Sequence, residues 1–295
     1  MNKGLAAAVL APFFIAFSII LIKMAGTMAQ PLVIAGLGTL ISVPLLWAAR
    51  LATKSPPDLN IFLGQMRTPF LKVLVTRSLI GQFLIITGFT MTTAVKAVLL
   101  LRLEPLFVFA WSMLLHHEKP RPIKLFLLLA LVAGSLLVVA PHDHLDGINV
   151  GDLLVVLSLI FFSYSYLPTH EVVAKANPAD LNIFANLIGG SILTLLALAI
   201  FHLSAMQISP TAFQLIAGYA LVFPVIGASL YFYAFKTLKP WVIASFLSLE
   251  VVFGLILAVL ILHETIAPLQ LAGAVIVLAA TVGIGRVGQR QEMPI

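Results

Sequence analysis

Long apolar runs, separated by short polar stretches, follow one another along almost the whole chain. A helix that crosses the hydrocarbon core of a bilayer needs roughly 20 mostly apolar residues, and each run has about this length. The short alternating segments that are typical of outer-membrane barrels are absent from the sequence. The pattern therefore predicts an all-α, polytopic membrane protein with ten transmembrane helices. The predicted spans are 4–24, 31–49, 73–89, 94–116, 122–140, 152–173, 181–203, 212–235, 241–263 and 268–286.

The composition supports this class and excludes several others. Hydrophobic residues make up 61% of the chain and charged residues 9%, whereas soluble domains have about 45–50% and about 25%. Such an excess cannot be buried in one core, so it must face lipid. This excludes soluble enzymes and nucleic-acid binders. Because the chain has no cysteine, disulfides, iron–sulfur clusters and cysteine zinc sites are excluded as well.

The basic residues predict the orientation of the chain in the membrane. Lysine and arginine concentrate in short cytoplasmic loops, and nearly all basic residues fall on one side if both termini are cytoplasmic. The net charge of +6 is thus an orientation signal in a bacterial-type inner membrane and requires no nucleic acid. We interpret the first apolar run as a retained span, because it exceeds the length of a signal-peptide core. The interpretation assigns these residues to the cytoplasmic side: Lys3, Arg50, Lys54, Arg67, Lys72, Arg77, Lys119, Arg121, Lys124, Lys175, Lys236, Lys239, Arg286 and Arg290.

The chain repeats itself at an offset of 146 residues. The segment LRLEPLF at 101–107 aligns with LSLEVVF at 247–253, and the pair His117-Glu118 aligns with His263-Glu264. Each half has five predicted spans, an odd number, so the second half must enter the membrane from the opposite side. The loop charges agree, since basic 119–121 aligns with uncharged 265–267. We predict two inverted five-helix repeats, at 4–140 and 151–286, an arrangement typical of secondary transporters.

The repeated pattern is similar to a known family. The sequence Leu-x-Leu-Glu-Pro, an apolar helix, Glu-x3-Pro and then a small residue, here Gly134, resembles the EamA repeat of the drug/metabolite transporter superfamily. The resemblance implies a central cavity lined mainly by spans one, three, four, six, eight and nine. It also implies small substrates such as amino acids, nucleosides or other metabolites. Small multidrug-resistance relatives use a glutamate in their first span, but Ser18 lies at that depth here, so their mechanism is not carried over.

Two glutamates lie near the middle of predicted spans. Glu104 and Glu250 are equivalent in the repeat, and a charge at a helix centre costs roughly 2.5–3.5 kcal/mol on insertion scales. Both are therefore candidates for substrate binding or proton coupling. The alternative is structural, with each carboxylate capping backbone groups where its helix is disturbed. Pro105 removes one helical hydrogen bond after Glu104, whereas Val251 follows Glu250, so this alternative fits only the first glutamate.

Arg102 and Lys96 share the fourth predicted span with Glu104. In a continuous helix Arg102 points about 200° away from Glu104, so only one of them is expected to face the cavity. The equivalent of Arg102 is Ser248, which shows that the fold does not require this charge and favours a substrate or coupling role. Lys96 either lines an outer vestibule or extends to the lipid headgroups.

The remaining candidates are uncharged, and none indicates a metal or another cofactor. Gln82, Tyr164 and Tyr231 are the expected uncharged contributors to the cavity. Tyr164 and Tyr166 are two residues apart, as are Tyr231 and Tyr233, so each pair splits across its helix and one member of each is expected to face the cavity while the other packs. No strong metal-binding spacing and no phosphate-binding loop of the Gly-x4-Gly-Lys-Ser/Thr type occurs in the sequence.

These observations predict a secondary active transporter rather than an enzyme. The expected substrate is a small organic metabolite, such as an amino acid or a related solute, carried by alternating access with proton coupling as one option. Two alternatives stay open: a membrane-embedded enzyme, although the histidines lie at span ends or in loops, and a non-transporting sensor or scaffold. The sequence leaves the substrate, the direction of transport and the oligomeric state open.

Overall fold

The computed structural model describes residues 3–52, 56–92, 100–116, 121–139, 148–202, 207–262 and 267–290. Over these ranges the chain is helical and contains no β-strand. A short helix at Asn60–Leu63 lies in the segment predicted as a linker between the second and third spans. The long helices are α1 (Lys3–Gly26), α2 (Pro31–Ala52), α3 (Arg67–Met91), α4 (Glu104–His116), α5 (Pro122–Val139), α6 (Val150–Lys175), α7 (Pro178–Phe201), α8 (Pro210–Ala234), α9a (Pro240–Leu247), α9b (Glu250–Leu262) and α10 (Pro268–Arg290).

Most of these helices are long enough to cross a bilayer. Among the described residues, eight segments have the required length and apolar composition: α1, α2, α3, α6, α7, α8, the α9a–α9b segment Pro240–Leu257, and α10. The described parts of α4 and α5 are apolar but shorter. Residues 93–99 of the predicted fourth span lie outside the described residues. The chain is therefore an integral membrane protein, and the count of ten spans stays a prediction.

Side-chain caps explain why three of the helices begin where they do. The Asn149 side chain accepts a hydrogen bond from the Asp152 backbone N–H, and the Asp152 carboxylate accepts one from the Asn149 N–H. This reciprocal capping box starts α6. The side chains of Asn177 and Ser209 accept hydrogen bonds from backbone N–H groups at the starts of α7 and α8, and a proline follows each of them. These caps satisfy N–H groups that have no partner inside the helix.

The backbone is irregular at equivalent places in the two halves. Residues 102–103 form a turn before α4, and residues 248–249 form a turn between α9a and α9b, 146 residues later. The helices α3 and α8 each contain a π-helical stretch, at Leu74–Gly81 and Leu221–Gly227. The ninth predicted span is thus broken rather than continuous. Hydrophobic periodicity does not show such a break, because both sides of it are apolar.

The most extensive helix contacts join α5 with α10 and α2 with α7. Each is a pairing between equivalent helices of the two halves. The helices α5 and α10 approach closely at Gly134 and Gly273, where a Cβ on Gly273 would lie 2.5 Å from the Gly134 carbonyl oxygen. Glycine is needed there because any side chain would collide with backbone. These two pairings leave α1, α3, α4, α6, α8 and α9a–α9b to surround a central cavity.

Candidate functional site

The central cavity has a volume of about 120 Å³ and lies between helices of both halves. It is lined by α1, α3, the start of α4, α6, α8 and both parts of α9. These are the spans that the sequence resemblance implies. The lining combines aliphatic and phenylalanine side chains with charged and polar ones. The polar members are Ser18, Arg77, Gln82, Arg102, Glu104, Tyr166, Tyr219, Ser248 and Glu250.

Equivalent positions of the two halves meet in this cavity, although their chemistry differs. Glu104 and Glu250, which are equivalent in the repeat, both line the cavity. The two arginines of the first half that line the cavity have uncharged equivalents in the second half. The equivalent pairs, all of which line the cavity, are Arg77 and Phe223, Arg102 and Ser248, and Glu104 and Glu250. The fold is repeated, but the charges that line the cavity are asymmetric.

Arg102 and Glu250 form an ion pair between the two halves. The Arg102 Nη2 atom lies 3.0 Å from the Glu250 Oε1 atom, and both side chains are buried. The Nη1 group of the same arginine also donates to the Ser248 carbonyl oxygen at 3.4 Å. The pair thus connects the backbone turn before α4 to the turn before α9b. Burial makes each charge dependent on the other, because an unpaired charge in this environment is costly.

Glu104 lines the same cavity and is half-buried. The described residues include no basic group within 4.0 Å of its carboxylate. The helical-wheel argument separated Arg102 from Glu104, but both line the cavity because the chain leaves the helix at 102–103. Glu104 and Glu250 are the first residues of α4 and α9b, where a carboxylate complements the positive helix end. The structural alternative therefore applies to both glutamates, not only to Glu104.

Arg77 is a cavity residue that the sequence interpretation assigned only to orientation. It lies in the π-helical stretch of α3 and donates a hydrogen bond to the Tyr231 hydroxyl at 3.0 Å. Its guanidinium carbon is 4.2 Å from the ring centre of Tyr231, 5.1 Å from that of Phe162 and 5.6 Å from that of Phe232. No carboxylate of the described residues lies within 4.0 Å of it. The three aromatic rings around its guanidinium make Arg77 a candidate functional residue of the cavity.

The uncharged candidates are divided between the cavity and its surroundings. Gln82 lines the cavity and donates to the Tyr219 hydroxyl at 2.9 Å. Tyr231 is buried and supports Arg77. Tyr164 instead lies in a separate groove, with its ring centre 5.4 Å from that of Trp111.

Tyr166 lines the cavity, although the sequence analysis placed its neighbour Tyr164 there instead. It is fully buried, and its hydroxyl lies near the Glu104 carboxylate without a hydrogen-bond partner within 3.5 Å among the described residues. Leu159 and Phe162 line the cavity too, so the cavity-lining face of α6 follows the i, i+3, i+7 spacing of a helix. Leu157, Ile160 and Tyr164 follow the same spacing in the sequence, so periodicity alone does not distinguish the two tyrosines.

Several predicted features lie outside the described residues, namely Lys96 and the two pairs His117-Glu118 and His263-Glu264. Within the described part of the chain, no group of three or more metal-binding side chains occurs.

Comparison with known proteins identifies the family. A model of the EamA-like transporter family matches residues 2–140 and 149–286, which together make up most of the chain. The chain belongs to the EamA-like transporter family. The two matched segments confirm the resemblance to the drug/metabolite transporter superfamily. This protein is thus a membrane protein of a transporter family, with a small-molecule substrate and a lipid environment.

Solved structures show the same fold. One of them, described only as the crystal structure of a protein, aligns with 98% of this chain and 99% of its own. The TM-score is 0.76 at 15% sequence identity, so the likeness concerns the fold alone. No curated protein matches the chain.

Proposed function

We propose that this EamA protein is a secondary transporter of a small organic metabolite, such as an amino acid or a related solute. The observation that carries the proposal is the central cavity, where equivalent residues of both halves meet and Glu104 has no ion-pair partner among the described residues. A charged group within the membrane costs free energy, so an ionisable residue there is a candidate for a functional role. A site between repeats suits alternating access, in which the two halves expose it to one side at a time.

The proposed architecture is two inverted five-helix repeats, at 4–140 and 151–286, with both termini on the cytoplasmic side of a bacterial-type inner membrane. Three observations support it. The turns and π-helical stretches recur at the repeat offset, equivalent helices pair with each other, and the loop charges are exchanged between the halves. Inversion supplies two conformations of similar energy, because exchanging the shapes of the repeats turns an inward-open cavity into an outward-open one.

We assign proton coupling to Glu104 and a structural task to Glu250. The Glu250 carboxylate is neutralised by Arg102 at 3.0 Å, so protonation would break a buried ion pair. Glu104 faces the cavity without such a partner among the described residues. It can therefore take up and release a proton without disrupting the contact between the halves.

Solute flux in proteoliposomes tests the proposed function. Purified protein is first screened for thermal stabilisation by a metabolite library, since a specific ligand stabilises the native state. The stabilising compound is then loaded as a labelled solute, and its flux is compared with that of protein-free liposomes. We expect saturable flux that responds to an imposed pH gradient. Specific binding without flux would indicate a sensor, and chemical conversion of the compound would indicate an enzyme; either result would contradict the proposal.

A further inference from the structure

We propose that Arg77 binds the carboxylate of the transported solute, and that this solute is a small carboxylate with an aliphatic body. The inference rests on the proposed function and adds the chemical class of the substrate to it. It starts from the unusual position of Arg77, whose charge lines a membrane-embedded cavity without a carboxylate partner among the described residues.

The fold does not require a cation at this position. The equivalent residue in the second repeat is Phe223, which lines the same cavity. The surroundings of Arg77 nonetheless accommodate it, because the rings of Tyr231, Phe162 and Phe232 lie within 4.2–5.6 Å of its guanidinium carbon. Aromatic faces stabilise a guanidinium and leave its edges available to a ligand. The ring contacts therefore hold the cation in place without neutralising it.

Hydrogen-bond donors are left over at this site. A guanidinium has five N–H donors, and within the described chain Arg77 uses one, for the Tyr231 hydroxyl. Tyr166 adds a fully buried hydroxyl that lines the cavity near the Glu104 carboxylate and has no hydrogen-bond partner within 3.5 Å among the described residues. The planar fork of an arginine matches the two oxygens of a carboxylate. Arg77 and Tyr166 thus provide the donors that a bound carboxylate needs.

The charges of the cavity balance in a way that fits such a ligand. Arg102 and Glu250 neutralise each other, which leaves the positive Arg77 and the negative Glu104. A carboxylate bound at Arg77 would be repelled by an ionised Glu104 in the same cavity. The repulsion is removed if Glu104 carries a proton, or if the solute places an ammonium group against Glu104. The shared chemistry is the carboxylate, and the amino group is left to the experiment.

The remaining lining indicates the body of the solute. Isoleucine and leucine side chains dominate it, and they offer dispersion contacts but no hydrogen bonds. A branched aliphatic group suits such a surface better than a polyhydroxylated one, whose hydroxyl groups would lose their water without replacement. The aliphatic residues that carry this argument are Ile15, Ile19, Ile22, Ile85, Ile86 and Leu101.

Three compounds with the same branched chain test the inference on the purified full-length protein. Leucine carries both charged groups, 4-methylpentanoate lacks the amine, and isopentylamine lacks the carboxylate. Binding is measured by thermal stabilisation and by titration in detergent. We expect leucine, 4-methylpentanoate or both to bind, and isopentylamine not to bind. Binding of leucine alone would identify an amino acid, and binding of 4-methylpentanoate would show that the carboxylate suffices.

Variants at Arg77 connect the binding to this residue. Removing a charge-assisted hydrogen-bonding partner weakens binding by about 10- to 100-fold, so we expect this loss in Arg77→Gln. Arg77→Lys keeps the charge without the fork and should lose less. The matched control is Arg67→Gln, because Arg67 is an exposed arginine on the same helix. If Arg77→Gln does not fold, Tyr166→Phe keeps the ring and should weaken binding several-fold by loss of one donor.

The inference is overturned if only isopentylamine binds, if none of the three compounds binds, or if the Arg77 and Tyr166 variants bind as tightly as the unmodified protein. These results differ from a failure of the proposed function. A solute without a carboxylate that is transported independently of Arg77 would leave the transporter standing and remove the inference. A carboxylate that binds through Arg77 but never crosses the membrane would support the inference and contradict the proposed transport function.

Discussion

Glu104→Gln is expected to abolish proton-driven accumulation of the solute in proteoliposomes while substrate exchange at equal pH continues. Glutamine keeps the size of the side chain but cannot take up or release a proton. Because Glu104 lines the cavity and has no ion-pair partner within 4.0 Å among the described residues, the substitution breaks no salt bridge. The thermal stability of the purified protein should therefore change little. Accumulation is measured with an imposed pH gradient, and exchange with labelled solute on one side only.

The control for this experiment is Glu171→Gln, since Glu171 is an exposed glutamate outside the central cavity. It should accumulate solute like the unmodified protein. Full accumulation by Glu104→Gln would remove this residue from the coupling mechanism. Loss of both accumulation and exchange would assign Glu104 to substrate binding instead, and the proton-coupling proposal would then be wrong.

The largest loss of stability is expected from breaking the Arg102–Glu250 pair. Removing one partner of a buried ion pair typically costs about 3–5 kcal/mol, because the other charge stays buried without compensation. We expect a loss of this size for Arg102→Met and for Glu250→Leu, each measured by reversible unfolding in detergent or bicelles. The double variant should be closer to the unmodified protein than either single variant, since it leaves no charge unpaired.

This double-mutant cycle also tests the assignment of Glu250 to structure. If the two single losses simply add in the double variant, the two side chains do not depend on each other and the pair does not hold the repeats together. The double variant should, in addition, still exchange solute. Loss of exchange in a stable double variant would mean that the pair participates directly in transport.

The helices and the repeat could be predicted from sequence because apolar periodicity and internal similarity are properties of the chain itself. The break at Arg102 could not, since apolar residues flank it on both sides and the helical wheel assumes a continuous helix. That assumption separated Arg102 from Glu104, which the structure places in one cavity. The equivalent break precedes Glu250, so this carboxylate also lies at the start of a helix, although no proline follows it.

Arg77 was missed for a different reason. The predicted third span began at residue 73, so Arg77 fell in its first turn, where the positive-inside rule accounts for a basic residue. The helix begins at Arg67 instead, and ten further residues at a rise of 1.5 Å each place Arg77 about 15 Å along it. Helix boundaries are set by tertiary contacts of the flanking segment, which a single sequence does not display.

The most direct test of the inverted architecture is the accessibility of cysteines at two equivalent loop positions. The chain has no cysteine of its own, so Arg121→Cys and Ala267→Cys each introduce one label site, at positions 146 residues apart. In intact cells, a membrane-impermeant maleimide should label Ala267→Cys from outside, whereas Arg121→Cys should react only after the membrane is permeabilised. Labelling of both positions from the same compartment would contradict the inverted repeat and the transport pathway built on it.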